Sequence, residues 1–188
     1  MSRTYLLFAA AVGLTACDNA GPTAPQLATT QVPVTSSYRA QVPITSSYRA
    51  QGTIGTAPRC DALGLLYVSL EGEGIESHVG RYTIRNSHCL NPATGEFTAG
   101  SFHKVGGNGD ELSGTYEGTS SVIQAPAPVG VFAIRGQLAF TGGSGRLANA
   151  TGSQEMVGTQ TSDFSKPGVP TTVELSMTGT ISTVGSAR

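Results

Sequence analysis

The sequence predicts an all-β fold, an eight-stranded antiparallel β-barrel, and three observations carry that expectation. Apolar residues recur at every second position in several segments, the mark of strands with one buried face. Composition agrees, since 25 of the 188 residues are Gly, only 12% are charged and there is no Trp. Short strands joined by tight turns draw on such residues, whereas helices would need more Glu, Lys, Leu and Ala in 3.6-residue periods. The breaks between alternating segments are short and rich in Gly and Pro, which suits hairpins.

The amino terminus is read as an export signal and kept apart from the fold. Arg3 supplies a positive charge, and the apolar run from Tyr5 to Val12 is too short to cross about 30 Å of hydrocarbon as a helix. Residues 1–16 are therefore assigned to a signal peptide. Leu14-Thr15-Ala16-Cys17 resembles the bacterial lipobox. The resemblance implies cleavage just before Cys17 and acylation of its thiol, which makes the membrane a partner and places the rest of the chain in the cell envelope, facing the periplasm or the cell exterior. Two acyl chains, at about 0.8 kcal/mol per buried methylene, make a durable anchor. Inner and outer membrane stay open as alternatives.

Residues 17–50 are rich in Pro, Thr, Ser, Ala and Gln and lack sustained apolar periodicity, so they are expected to form a disordered tether. The tether contains a duplicated decamer: Gln31 to Ala40 is followed at once by Gln41 to Ala50, differing only at Val34 and Ile44. Two ten-residue copies are too few and too short for a solenoid. The second copy can also run into the first strand through Tyr48 to Thr56. As a flexible coil the tether spans about 30 Å.

The domain is assigned to 51–188. Its first strand is placed near Gln51 to Thr56. Leu66, Val68 and Leu70 alternate with polar neighbours, then Tyr82 and Ile84, then Leu112, Gly114 and Tyr116. Phe132, Ile134, Gly136, Leu138 and Phe140 form another row, and Val173, Leu175, Met177, Gly179 and Ile181 the last. Segments around Glu96 to Val105 and Gly152 to Thr159 carry a weaker alternation. About eight strands is the number at which a closed barrel is just filled by side chains or holds one small ligand. Gly80, Gly114, Gly136 and Gly179 suit the bends that closure imposes.

The run Gly142-Gly143-Ser144-Gly145-Arg146-Leu147-Ala148-Asn149-Ala150-Thr151-Gly152 resembles the Gly-rich turn of the allene oxide cyclase and dirigent protein superfamily, with Leu147 where an aromatic is usual. Gly74 to Tyr82, Gly95 to Gly100 and Asp110 to Gly118 resemble bacterial extracytoplasmic members in order and spacing. The resemblance implies an eight-stranded barrel with an apolar cavity, and in plant members cyclisation or radical coupling of hydrophobic ligands. No catalytic residue of the family can be placed on a position of this chain.

Cys60 and Cys89 remain once Cys17 is acylated, an even pair in an oxidising compartment, and are expected to form a disulfide. Closing that loop stabilises the fold by about 3 to 4 kcal/mol. His78, His88 and His103 match no zinc spacing and are expected at solvent-facing positions. Glu71, Glu73 and Glu76 read as a solvated acidic face, Asn108-Gly109 as a hairpin turn rather than a calcium loop, and Gly142 to Gly145 as a turn without the Lys of a phosphate loop. No catalytic constellation, metal site or cofactor motif is identified. A net charge of -1 with scattered basic residues argues against nucleic-acid binding. Two function classes follow. The first is a membrane-anchored binding or structural module whose barrel can hold a small hydrophobic ligand. The alternative is a cyclase or isomerase acting inside the barrel, for which His103 and Glu155 are the first candidates. An inward His or carboxylate with a polar partner would favour the second.

Overall fold

The computed structural model describes residues 40–182. The expected signal peptide, Cys17 and Gln31 to Arg39 of the first decamer copy lie outside the described residues. Eight strands run β1 (Gln41–Gly55), β2 (Leu66–Glu76), β3 (Gly80–Leu90), β4 (Glu96–Gly106), β5 (Glu111–Gln124), β6 (Val129–Gly143), β7 (Gly152–Asp163) and β8 (Pro170–Ser182). They form a closed barrel in sequential order. Each strand is antiparallel to its neighbours, and β1 closes on β8 from Gln41 opposite Ser182 to Thr53 opposite Pro170. Closure leaves no sheet edge and needs only hairpin connections, which the short Gly-rich breaks supply.

The alternation seen in the sequence sets which face is inside. On β8, Val173, Leu175, Met177 and Ile181 are buried, and on β6 so are Ile134, Leu138 and Phe140. Each such side chain contributes roughly 1.5 to 3 kcal/mol when fully removed from water.

β1 begins at Gln41, ten residues ahead of the boundary set at Gln51, so the second decamer copy is barrel wall rather than tether. Pro, Thr and Ser make the copy look like a linker, but Ile44, Ser46, Tyr48 and Ala50 are buried on one face at period two. Tertiary burial overrides composition here.

β4 explains why its signal was weak. Phe97 faces inward and so do Gly100, Phe102 and Lys104, which requires a change of parity. A register shift between Phe97 and Gly100, with Ala99 at a φ of 51°, provides it. Such a bulge adds one residue and flips every side chain beyond it.

At Gly114 a Cβ would overlap the Ala139 carbonyl and the Phe102 ring, so a close inward approach requires glycine there. Gly80 has a different role from the bend assigned to it: it begins β3 at a φ of 80° with open space around it. Gly109 has a φ of 84°, as the Asn108-Gly109 turn requires. Asp110 accepts from Asn108 Nδ2 at 2.7 Å and from Arg146 Nε at 2.6 Å, tying that turn to the segment after β6. Chiefly because of the Arg146 hydrogen bond, the Asp110 carboxyl is held below the ordinary carboxylate range.

A short helix, α1 (Pro58–Asp61), covers the wall beside β3, and Cys60 is disulfide-bonded to Cys89 with a Cα separation of 5.4 Å. The chain enters the barrel at Gln41, and the Glu76–Gly80, Gly106–Glu111 and Gly143–Gly152 connections lie at that same entry end. α1 and the connections after β3, β5 and β7 lie at the far end.

Candidate functional site

Following the inward face of β3 past Tyr82 and Ile84 leads to Asn86 and His88, both buried. From β1 comes Tyr48, from β5 Tyr116 and from β7 Gln160. These five polar side chains and Ser120, with Leu70, Leu90, Phe97, Ile134, Met156 and Leu175 among the apolar ones, line a cavity of about 20 Å³ inside the barrel. That is room for one water molecule.

The polar groups are paired in a definite order. Tyr116 Oη lies 2.8 Å from His88 Nδ1, and Asn86 Nδ2 donates to Tyr48 Oη at 3.1 Å. Gln160 Nε2 donates to Ser162 Oγ at 3.0 Å. The His88 ring packs against Phe97 at 4.9 Å and edge-on to Tyr116 at 5.5 Å. Asn86 Oδ1 is buried and has no partner among the described residues. An unmatched buried acceptor costs free energy, so it is a position where a donor from outside the chain is favoured.

Burial, and secondarily the nearby Arg59 guanidinium, hold the His88 imidazolium down, with a pKa of about 4. His88 is therefore a neutral base at physiological pH. Desolvation pushes the Tyr48 phenol up to about 12 and raises Tyr116 as well. Arg59 itself stays on the outer side of α1, donating to Ser87 Oγ at 2.8 Å and lying 5.1 Å from the Tyr67 ring. A neutral imidazole hydrogen-bonded to a neutral phenol is a proton-transfer pair: one nitrogen can take a proton while the hydroxyl returns one.

A second polar cluster sits toward the entry end. Lys104 and Glu76 form an ion pair whose side chains are both fully sealed from solvent. The Lys104 ammonium also lies 4.8 Å from the Tyr82 ring, 5.5 Å from Phe102 and 5.9 Å from Phe140, close enough for cation–π attraction. Burial, opposed by the Glu76 carboxylate, lowers the Lys104 pKa. Tyr82 Oη is 2.8 Å from Ser46 Oγ. Glu76 Oε1 and both amide atoms of Gln154 are buried without hydrogen-bond partners among the described residues.

The residues singled out from sequence divide accordingly. Cys60 and Cys89 are joined, next to His88, whose carbonyl lies 3.9 Å from Cys60 Sγ. His103 faces outward and pairs with Glu111 at 3.4 Å, and Glu155 is exposed, so neither is a candidate inside the barrel. His78 is exposed with Nε2 2.9 Å from the Pro43 carbonyl, as expected. His88 corrects the expectation that all three histidines face solvent, because it shares parity with Tyr82 and Ile84. Glu76 likewise leaves the solvated acidic face, sharing parity with the inward Val68 and Leu70 while Glu71 and Glu73 are exposed. The Gly142–Gly152 segment is a turn with a 3-10 element at Gly145–Leu147, and Leu147 is buried. Among the described residues no helix is long and apolar enough to cross a membrane.

Comparison with known proteins finds none that matches: no family model, no curated protein and no solved structure.

Proposed function

We propose that this chain is a lipoprotein of the bacterial envelope, anchored through Cys17, whose barrel is a binding module for a small hydrophobic ligand seated at the His88–Tyr116 cavity. The observation that carries the reading is Asn86 Oδ1, buried at the cavity with no partner among the described residues. A few convergent polar atoms in an apolar wall are what a ligand seat requires. The cavity accepts anything larger than water only if side chains move, and Met156, with its flexible thioether, is the lining residue best able to do so. The closed eight-stranded barrel and the buried Leu147 in the Gly-rich turn support kinship with the allene oxide cyclase and dirigent superfamily.

Native mass spectrometry of the purified protein tests the binding reading. A lipophile that co-purifies, or one that is retained when added, supports it, and a barrel that stays empty with every lipophile tried overturns it. The anchor has its own test. Cys17→Ala should release a folded, disulfide-bonded barrel from membranes into the soluble fraction, and a variant that stays membrane-bound refutes acylation at Cys17.

The His88–Tyr116 hydrogen bond favours a second reading, a cyclase or isomerase that moves a proton on the seated ligand. It predicts turnover that is lost in both Tyr116→Phe and His88→Gln, whereas a binding module shows altered retention and no product.

A further inference from the structure

Strands of the closed wall are paired on both sides, but β1 and β5 each run on past a neighbour, and the two extensions are treated differently. At the entry end, residues 41–45 of β1 precede the first pair with β2, Ser46 opposite Glu76. The segment after β2 guards this stretch. Ser77 N–H donates to the Thr45 carbonyl at 3.0 Å, Thr45 N–H donates to Ser77 Oγ at 3.2 Å, and His78 Nε2 lies 2.9 Å from the Pro43 carbonyl. Pro43 has no N–H to leave unmatched.

At the far end β5 is paired with β4 only as far as Thr119 opposite Glu96, after which Ser120 N–H donates to the Gly95 carbonyl at 2.7 Å. On its other side β5 stays paired with β6, from Ser121 opposite Ala133 to Gln124 opposite Val131. Residues 121–124 are therefore a strand with one open edge among the described residues. Backbone groups of alternate residues point the same way, so the N–H and C=O of Val122 leave that edge in the direction that Ser120 N–H takes toward Gly95. The stretch contains neither Lys nor Pro, residues that ordinarily block strand addition. Val122 and Ile123 are 62% and 60% exposed. Val122 stands opposite Phe132, whose ring lies 6.2 Å from that of the exposed Phe164, so apolar surface continues across the hairpin.

Open main-chain donors and acceptors are satisfied by another extended strand, and the chemistry selects the same segment of a second copy. No charged residue lies between Glu117 and Arg135, so two copies of this hairpin meet without repulsion. Antiparallel pairing about Val122 sets that residue opposite its own counterpart, a pair that exchanges both N–H···O=C bonds. β6 is paired with β7 from its first residue, Val129 opposite Asp163, so the hairpin is open on the β5 side alone and the contact closes as a two-fold pair. We infer that two copies of the chain associate through their open β5 edges, residues 121–123 pairing antiparallel about Val122 to make one four-stranded sheet from two hairpins. Three residues a side bury less than the roughly 1,000 Å² of a stable interface, so the contact between free chains is weak and reversible. The membrane anchor proposed above would strengthen it by confining both copies to one surface.

The test uses the whole chain carrying Cys17→Ala, which has no free thiol once Cys60 and Cys89 are joined, so its outcome does not depend on the anchor. Single cysteines are placed at Val122 and at Thr115, an exposed position of β5 that is paired on both sides. Cα atoms in the expected Val122 pair are about 5.5 Å apart, within disulfide reach. Under mild oxidation Val122→Cys should form covalent dimer at least about tenfold faster than Thr115→Cys. In sedimentation the Cys17→Ala chain should move from monomer toward dimer as concentration rises. Val122→Lys sets like charges opposite each other and should weaken that association at least about tenfold, whereas Val122→Thr should retain it. Both variants change an exposed residue, and circular dichroism checks that the barrel is intact. Equal cross-linking at the two positions, association untouched by Val122→Lys, or a chain that stays monomeric at every concentration overturns the inference. So does capture of a monomer by phosphatidylcholine vesicles, which would give the hairpin to a bilayer instead.

Discussion

Toward its entry end the barrel buries Lys104 and Glu76, two full charges with no solvent exposure, whereas toward the far end it buries Tyr48, Asn86, His88 and Tyr116, all neutral. The charged pair is closed upon itself. Aromatic rings of Tyr82, Phe102 and Phe140 surround the ammonium. The neutral cluster surrounds a water-sized space and keeps an acceptor open. Desolvating ions costs several kcal/mol each, and the cost is recovered only while the partners stay together, so the charged half must remain shut. Neutral dipoles cost less to leave temporarily unmatched, so the far half is the part of the barrel that can open at lower cost.

The largest expected effect comes from opening the charged half. Lys104→Met should destabilise the barrel by about 3 to 5 kcal/mol, because it strands a buried carboxylate. Replacing both partners, Lys104→Met with Glu76→Leu, should recover most of that loss. Guanidinium midpoints of the single and double variants provide the check. A single variant that costs no more than removal of the exposed Arg85–Glu71 pair, about 0 to 1 kcal/mol, would erase the distinction between the halves.

Next is the staple of the far half. Cys60 and Cys89 are 29 residues apart, and replacing both with Ser should cost about 3 to 4 kcal/mol. The damage should be local. Hydrogen exchange should quicken around Ser87 to Leu90 and in α1, next to His88, and remain slow around Lys104. Equal acceleration at both ends would mean that the halves open as one unit.

pH sharpens the contrast further. His88 has a pKa of about 4 in the fold against an ordinary value of 6.5, so between those values the unfolded chain binds a proton that the folded chain refuses. The stability tied to its neutral state is fully present above pH 6.5 and is lost as the pH falls toward 4, by about 3 kcal/mol in all. Urea unfolding at pH 7 and pH 4 should show that drop in the parent chain and a smaller one in His88→Gln, the remainder coming from carboxylates such as Asp110. Identical drops in the two proteins would show that His88 is not held neutral.

Fold and site were legible to different degrees. Alternation in β2, β3, β6 and β8 is long and apolar, so strand positions and the closed barrel could be read directly. The site residues occupy the same parity, and extending Tyr82 and Ile84 by two and four positions arrives at Asn86 and His88. They were passed over because a polar residue in a strand defaults to solvent, and only the fold shows that both faces of that rule are broken inside a barrel. Lys104 was less accessible, since the bulge at Ala99 interrupts the count from Phe97. Tyr48 was hidden by the linker-like composition of the decamer.

That decamer supports the smallest and most selective prediction. The first copy carries Val32, Val34, Ser36, Tyr38 and Ala40 at the parity of Val42, Ile44, Ser46, Tyr48 and Ala50. A ten-residue slip of β1 would therefore keep the same face inward, yet it would bring Val42 to the place of Gly52, where a Cβ overlaps the Ser69 carbonyl oxygen. Gly52 thus fixes the register in the duplicated chain. Deleting residues 41–50 removes that conflict, because it joins the first copy directly to Gln51. The only barrel residue changed is Ile44, 1% exposed and on the entry half, which becomes Val. Loss of one methylene there should cost about 1 kcal/mol and leave the Asn86–Tyr48 and His88–Tyr116 hydrogen bonds as they were. The guanidinium midpoint measures the loss, and hydrogen exchange around Asn86 and His88 reads the far half. Faster exchange around Asn86 and His88 in the deletion variant would show that the halves are coupled through β1 after all, since a change confined to the entry half would then have reached the cavity.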